Sequence, residues 1–490
     1  MRHFKPITKP PKHLFNEGGN ERHEGKIHAK DITLFSSEND TAYMYIKASG
    51  LVFMISKTVF NELNAQNNAL SISDAAVKLE WDGLRNIGVF SPLPGSNEQK
   101  GISTININIS HSCNISCRYC FADGGMYEGD SRIMSLSLLE NIVKGFLAHL
   151  DRIQENGNIV LFGGEPLLAM KSIYRVASLV KDEMNNSKKH VWLDVFTNAT
   201  LVDESFVQFI KENENIRLLI SLDGYPEIND LYRKSRTFSV SERVEKSIYW
   251  LLEAGIPTER MVMRCTMGGL ERDLCRRIEY FVSLGMVNIV IDAAHVNENS
   301  EIPKHEDILH SIINQLPEVK NQLIGFRKNS KNVNVNLVSE MVSRLLNPRE
   351  EYQYMSPQCP AGTKYLAADC DGYLYPCHFF VGNKDHRINH VLEGFKQKDM
   401  LTKNNGVSLL KKEVYPCSDC HIAGLCEGIC PYKYDSMGAD FDTWLPSFCE
   451  YMTQRVVSAL NYVDECYSSR PPFDHAWKIL LKSRDTLSSV

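Results

Sequence analysis

Cys113-Asn-Ile-Ser-Cys117-Arg-Tyr-Cys120 puts three thiols within one short stretch, spaced x3 and then x2. The apolar run Ile102–Ile109 directly precedes it and reads as a strand, so the thiols fall in the loop beyond a strand's end. Thiolates this close together bind zinc or an iron–sulfur cluster. A structural zinc site wants a fourth Cys or His at a similar short spacing. His111 lies two residues upstream of Cys113, and nothing equally close follows Cys120. Three ligands and one empty corner suit a cubic [4Fe–4S] cluster with one iron left for a substrate; a zinc knuckle is the alternative.

Outward from this stretch, strands and helices alternate from residue 102 to about 295. After Ile102–Ile109 come strand-like runs at 158–163, 191–197, 217–222, 261–266 and 287–292. Helical patterns separate them at 136–150, 169–181, 204–211, 241–254 and 272–284. Alternation of this kind implies a parallel sheet with right-handed crossovers. Six units are too few to close an eight-fold barrel, so the expected fold class is α/β, a partial (β/α)6 TIM-like barrel. Sites in such folds lie at the C-terminal strand ends, which is where the three thiols fall.

The flanks differ in character. Residues 1–30 read as a loose polar arm; Thr41–Ala48 and Leu51–Ser56 read as a hairpin around Ser49-Gly50. Helices are expected from Val59 and through 72–79, and Ser91-Pro-Leu-Pro-Gly-Ser96 marks a linker. The expected divisions are an N-terminal module at 1–95, the barrel at 96–300, bridging helices at 301–354, a Cys-rich domain at 355–450, and a C-terminal helix and tail at 451–490, the helix read over 450–463 and the tail from Pro471.

Bulk properties set limits. The chain has 490 residues, 43% of them hydrophobic and 23% charged, which suits a globular protein with at least one large core. A net charge of −6 gives no sign of nucleic-acid binding. No apolar run reaches the roughly 18 residues of a membrane helix, and the basic N-terminus lacks the apolar core of a secretory signal. A cytoplasmic location is expected. Fourteen cysteines in a reducing compartment point to metal or catalytic roles rather than disulfides. Cys265, Cys275 and Cys466 stand alone and read as packed thiols.

Gly163-Gly164-Glu165-Pro166 follows the second strand, and two glycines there let a ligand approach the backbone. Together, the C-x3-C-x2-C stretch with Tyr119 before its last Cys and this Gly-Gly turn resemble the signatures of the radical S-adenosylmethionine enzymes. The resemblance implies that Cys113, Cys117 and Cys120 hold a [4Fe–4S] cluster and that the Gly163-Gly164-Glu165 turn holds the amino group of S-adenosylmethionine. It also implies that Asn198 and Ser221, at the ends of the third and fourth strands, contact its ribose or carboxylate. Arg233 and Arg264 are candidates for its carboxylate, since Arg pairs bidentately with carboxylates; the alternative for each is a structural ion pair.

Cys359, Gly372 and Cys377, then Cys417-x2-Cys420-x5-Cys426-x3-Cys430 and Cys449, resemble the SPASM domain of auxiliary iron–sulfur clusters. By that pattern Cys359, Cys377 and Cys430 hold a first auxiliary cluster, and Cys417, Cys420, Cys426 and Cys449 a second. Two fully ligated clusters need eight ligands and the pattern supplies seven. Cys370 is the candidate for the eighth; without it, one iron is open to a substrate thiolate. Three [4Fe–4S] clusters and S-adenosylmethionine are thus the implied cofactors.

The resemblance implies a 5′-deoxyadenosyl radical that takes hydrogen from an unactivated carbon. The hairpin-plus-helix flank is similar to the small winged-helix peptide-binding modules of peptide-modifying radical enzymes; the alternative is a structural cap on the next domain. The expected partners are therefore a ribosomally made precursor peptide and a flavodoxin- or ferredoxin-type electron donor. Cys120-Phe-Ala-Asp-Gly-Gly-Met-Tyr resembles maturases that install thioether crosslinks of the sactipeptide or ranthipeptide type, the favoured reaction here, with carbon–carbon or carbon–oxygen crosslinking close behind. The other alternative is a sulfatase maturase, which oxidises Cys or Ser to formylglycine. Those enzymes carry an Asp directly after the Cys of the Gly-x4-Cys element; this chain has His378, the candidate base. A third reading is a degenerate, non-catalytic relative, against which the complete motifs count.

Overall fold

The computed structural model describes residues 32–47, 51–65, 101–127, 129–187, 189–295, 301–346, 359–395, 417, 420–426 and 428–467. The expected arm at 1–30, helix at 72–79, linker at 91–96 and tail beyond 471 lie outside these residues.

The first described element is a three-stranded antiparallel sheet of β1 (Ile32–Ser36), β2 (Ala42–Ile46) and β3 (Leu51–Ile55), in that order. β2 and β3 are the expected hairpin, and β1 adds a strand in front of it. Helix α1 (Lys57–Asn64) follows, its first turn capped by the Ser56 side chain.

The main sheet is built from β4 (Thr104–His111), β7 (Gly157–Gly163), β8 (Val191–Thr197), β9 (Ile216–Ser221), β11 (Met261–Met267) and β12 (Asn288–Ala293). These six strands pair in parallel in chain order, as the alternation predicts. Short strands β5 (Ser116–Cys117), β6 (Arg132–Ile133) and β10 (Arg233–Lys234) decorate the loops. The crossover helices are α2 (Leu136–Ile153), α3 (Met170–Asn186), α4 (Glu204–Glu212), α5 (Pro226–Tyr232), α6 (Val240–Glu253) and α7 (Leu274–Ser283). Helix α8 (His305–Lys328), strand β13 (Asn334–Val335), paired in parallel with β12, and helix α9 (Asn336–Leu346) fill the region expected to hold bridging helices.

Residue alternation makes the sheet two-faced. Ile105, Ile107 and Ile109 of β4 are fully buried in the core under the helices, together with Ile159, Leu161, Leu193 and Val195. The other parity carries Asn106, Asn108, Asn158, Phe162, Asp194, Phe196 and Arg217, so the inner face of the open barrel is polar and aromatic. On that face Asp194 takes a bidentate pair from Arg217 (2.6 and 2.8 Å) and accepts from Asn158 at 2.8 Å.

The Cys-rich region is not the free-standing small domain that its composition suggests. Strand β14 (Tyr365–Ala368) pairs in parallel with the free edge of β4, Tyr365 against Thr104 through Ala368 against Ile107, and β15 (Leu374–Tyr375) folds back on it. The region thus extends the barrel sheet. Helix α10 (Pro431–Met437) leads to α11 (Phe441–Tyr467), which starts earlier than the helix expected over 450–463. Phe441 and Trp444 are buried, Trp444 donates to His305 Nδ1 at 2.9 Å, and the helix runs on through Pro446.

Shared sheet hydrogen bonds make the two regions one cooperative unit. Leu366→Ala, at a fully buried β14 position, should therefore lower the stability of the barrel's own denaturant transition by about 2–5 kcal/mol. A separate early transition with the barrel's midpoint unmoved would contradict the shared sheet.

Candidate functional site

The three-thiol loop leaves the C-terminal end of β4 and is stitched down on two sides. β5 pairs with β10, Cys117 against Arg233, and Arg118 N donates to the Tyr232 carbonyl at 2.9 Å. The Gly-Gly turn at the end of β7 makes the second seam: Gly164 N donates to Ser110 O and Glu165 N to Ser112 O, both at 2.8 Å. A Cβ on Gly163 would lie 2.2 Å from Ser110 O, and one on Gly164 the same distance from Ser112 O. Gly163 also sits at φ +133°. These glycines are thus required by the approach of the thiol loop's own backbone, a reason separate from ligand access.

Cys113, Cys117 and Cys120 face one another closely enough for their charges to interact. Burial pushes the Cys117 thiol up to about 12 and raises that of Cys113, with Arg233 opposing in both. Metal binding must therefore expel thiol protons. The surroundings suit an anionic cluster. Asn198 Nδ2 lies 3.8 Å from Cys113 Sγ, and the buried Arg233 has an Nε with no hydrogen-bond partner among the described residues. Among the described residues no three His, Cys, Asp or Glu side chains converge on a single-ion site. The three thiols and the guanidinium would fit an anionic iron–sulfur cluster.

Glu165 is fully buried, and its carboxylate is spent on the protein. Oε1 accepts from Leu167 N (2.8 Å) and the Thr197 hydroxyl (2.7 Å), and Oε2 from Asn198 N (2.7 Å). Its role is to lock the end of β8, and with it Asn198, whose Nδ2 also donates to Asn114 at 2.9 Å. Burial raises the Glu165 pKa, against its three hydrogen bonds and Arg233.

Tyr119 and Arg233 form a second buried network. The Tyr119 hydroxyl donates to Asp223 Oδ2 and accepts from Arg233 at 2.9 Å, while Thr266 N donates to Asp223 Oδ1 at 3.0 Å. Asp223, just beyond the end of β9, is the centre of this network. Ser221 ends β9 half-buried, in register with Arg264. Arg264 pairs with Asp292 Oδ2 at 2.6 Å and lies over Phe196 at 5.8 Å, so the structure realises the ion-pair alternative for it.

The β14–β15 hairpin, held on the edge of β4, leads into Cys377. Cys359, Cys377 and Cys430 interact electrostatically with one another, as do Cys417, Cys420 and Cys449. Cys426 Sγ accepts from Gly428 N at 3.3 Å. Cys370 is not brought to the first set. Its buried thiol donates to Asn108 O on β4 at 3.0 Å, and the charges around it are Arg132, Asp369 and Asp371. Cys265 is buried against the Asp223 carbonyl, as a packed thiol should be.

His378 stands at the barrel mouth. Its ring lies 5.3 Å from Phe162 and 6.2 Å from Phe121, and its Nδ1 shares a hydrogen bond with the Tyr365 hydroxyl at 2.9 Å. Burial, with Arg264 nearby, brings its pKa down to about 4, so it is neutral. Phe379 continues the aromatic wall to Phe121 (4.8 Å), Tyr432 (5.1 Å) and His295 (4.2 Å). Sequence reasoning missed Tyr365, Asp292, His295 and the buried Lys433. Strand parity alone points Tyr365 and Asp292 inward; nothing local marks the other two.

A model of the radical SAM superfamily matches residues 107–282. A cysteine-type anaerobic sulfatase-maturating enzyme of Clostridium novyi (strain NT) is 25% identical over 393 residues, 76% of this chain and 99% of that protein. A probable GTP 3′,8-cyclase of Methanococcus aeolicus is 26% identical over 320 residues, 64% of this chain and 96% of that protein. The solved structure of anSMEcpe with bound AdoMet aligns with TM-score 0.60 at 21% identity, covering 76% of this chain and 98% of that one. Streptococcus suis SuiB bound to precursor peptide SuiA aligns with TM-score 0.52 at 15% identity, covering 84% and 97%. The chain thus carries a radical SAM domain in an α/β partial barrel and is a radical SAM enzyme.

Two outcomes follow from the buried groups. Glu165→Gln replaces one acceptor oxygen with a donor that faces other donors, and should cost about 1–3 kcal/mol. It should also weaken S-adenosylmethionine binding through Asn198, measured by equilibrium dialysis; unchanged affinity would separate Asn198 from the cofactor. His305 is held neutral, its pKa brought from 6.5 to about 3 by burial and then Lys433. Its contribution is complete above about pH 6.5 and is lost as pH falls from there toward 3. Between pH 7 and 5 this loss is about 2 kcal/mol, and His305→Gln should flatten the stability profile by that amount.

Proposed function

We propose that this radical SAM enzyme acts on a peptide segment held at the barrel mouth, between the three-thiol loop and the auxiliary region. The observation that carries this reading is the pairing of β14 with β4. It sets His378 and Phe379 against Phe121, the residue next to Cys120. The chemistry that S-adenosylmethionine and its cluster supply there is hydrogen-atom abstraction from an unactivated carbon. Cys113, Cys117 and Cys120 would hold that cluster, and Gly163, Gly164, Asn198 and Ser221 would line the cofactor's place. Arg233, with Tyr119 and Asp223, braces the loop from behind. The aromatic wall excludes water from the reacting carbon.

Oxidation of a peptidyl Cys or Ser to formylglycine is the chemistry best supported, because the sulfatase-maturating relatives match this chain along nearly their whole length. His378 would take the substrate's proton, its ring oriented by Tyr365. Thioether crosslinking is the second reading, and one observation favours it. With Cys370 turned to Asn108, the first auxiliary set has three protein thiols among the described residues, and a substrate thiolate fits the remaining corner. The exposed edge at Cys417 and Cys449 is where a flavodoxin- or ferredoxin-type donor would approach. No described helix is long and apolar enough to cross a membrane, and oxygen-sensitive clusters suit the reducing cytoplasm proposed for it.

Anaerobic incubation with reductant, S-adenosylmethionine and two peptides tests this. One is a sulfatase-type Cys peptide, the other a Cys-rich precursor. The expected products are 5′-deoxyadenosine and the first peptide with its thiol exchanged for a carbonyl oxygen. A peptide that loses two hydrogens and keeps its sulfur would select the thioether reading. Absence of 5′-deoxyadenosine from protein with loaded clusters would end both. Three clusters predict about 12 iron per chain, and Cys113→Ala/Cys117→Ala/Cys120→Ala should lose about four.

A further inference from the structure

The N-terminal sheet is far in sequence from every thiol, yet it holds two of the elements that carry the second auxiliary set. Thr33 Oγ1 donates to the His421 carbonyl at 2.7 Å, and the Tyr45 hydroxyl donates to the Ala423 carbonyl. Both carbonyls belong to the loop bounded by Cys420 and Cys426. The imidazole of His421 meets Thr453 Oγ1 on α11 at 3.2 Å, and that hydroxyl donates to the carbonyl of Cys449 at 2.9 Å. Further along α11, Asp464 accepts from Ser37 at 2.7 Å, Tyr43 at 2.9 Å and Asn39 at 3.1 Å. Loop and helix are therefore tied to the sheet by separate sets of hydrogen bonds.

The fit is specific at Tyr45. All five residues of β2 are buried, so each tyrosine hydroxyl must find a partner or carry an unpaid desolvation cost. Tyr43 spends its hydroxyl on α11 and Tyr45 on the loop. Gly424, at φ +88°, bends the loop around that contact, and a Cβ there would lie 2.5 Å from the Tyr45 hydroxyl. The loop's apolar residues Ile422 and Leu425 pack in the same core as Tyr45, with Cys420 and Cys426 against it.

We propose that the N-terminal sheet is the outer wall of the second auxiliary metal site, with Thr33 and Tyr45 as positioning residues that keep the Cys420–Cys426 loop in its ligating shape. This rests on the assignment of Cys417, Cys420, Cys426 and Cys449 as that cluster's ligands. A shift of the sheet then reaches the cluster directly through the two loop carbonyls.

The test uses the full chain carrying Cys113→Ala/Cys117→Ala/Cys120→Ala, so that only auxiliary clusters remain, about eight iron per chain. In this background Thr33→Val/Tyr45→Phe should release about four iron to a ferrous chelator roughly five-fold faster. The EPR signal of that cluster should change as well. Tyr43→Phe, which removes only the bond to Asp464, should leave both readouts as they were. If the double variant does not fold, Tyr45→Phe alone is read in the same way. Unchanged release and EPR in the Tyr45 variants would overturn the proposal, and an equal effect from Tyr43→Phe would reduce it to general loosening. A background that binds only about four iron, none lost with Cys417→Ala/Cys420→Ala, would overturn the ligand assignment itself, and the proposal with it.

Discussion

Both edges of β4 are hydrogen-bonded in parallel, to β7 on one side and β14 on the other. Neighbouring strands lie about 4.8 Å apart, so whatever follows the ends of these three strands is forced into one neighbourhood. After β4 comes the three-thiol loop, after β7 the Gly-Gly turn, and after β14 the turn from Asp369 to Gly372, from which β15 runs back to Cys377 and His378. Without β14 on that edge, the auxiliary thiols would belong to a separate body with no fixed relation to the first cluster's ligands. The pairing turns a long sequence separation into contact between Phe121 and Phe379 at 4.8 Å.

The mouth of the barrel is costly to build. Glu165, Asp223, Arg233 and Arg277 are all buried charged groups, and such groups persist only when paired and fully hydrogen-bonded. Arg277 meets this by donating to the Asp223 carbonyl (2.9 Å) and to Asp273 (2.8 Å). Glu165 meets it through β8. Arg233 does not quite meet it, since its Nε has no hydrogen-bond partner among the described residues. A site that keeps one buried donor unspent is arranged for a charge that arrives later, and an anionic cluster is such a charge.

Much of this was legible in the chain. Parity along the strands separates Ile105, Ile107 and Ile109 from Asn106 and Asn108, and six units follow from the alternation of strand and helix patterns. Close thiol spacing identifies the metal loop, because ligands a few residues apart cannot avoid one another. Less was legible where a residue type has several uses. Arg264 and Arg233 read alike as carboxylate partners, yet one pairs with Asp292 and the other with Tyr119 and Asp223. Glu165 reads as a ligand-binding residue and serves as a clamp on Asn198. Cys370 fits the ligand count by spacing, but its strand end aims the thiol at Asn108.

Short-range chemistry is what the sequence alone determines here: the three-thiol loop, the glycines of the turn, the strand parity and the order of the parallel units. Each is settled by residues within one turn or one strand of each other. Tertiary structure decides which distant segments share an edge, through main-chain hydrogen bonds that carry no residue signature. It placed β14 on β4, turned Cys370 away from the first auxiliary set, and set the N-terminal sheet against the loop of Cys420 and Cys426.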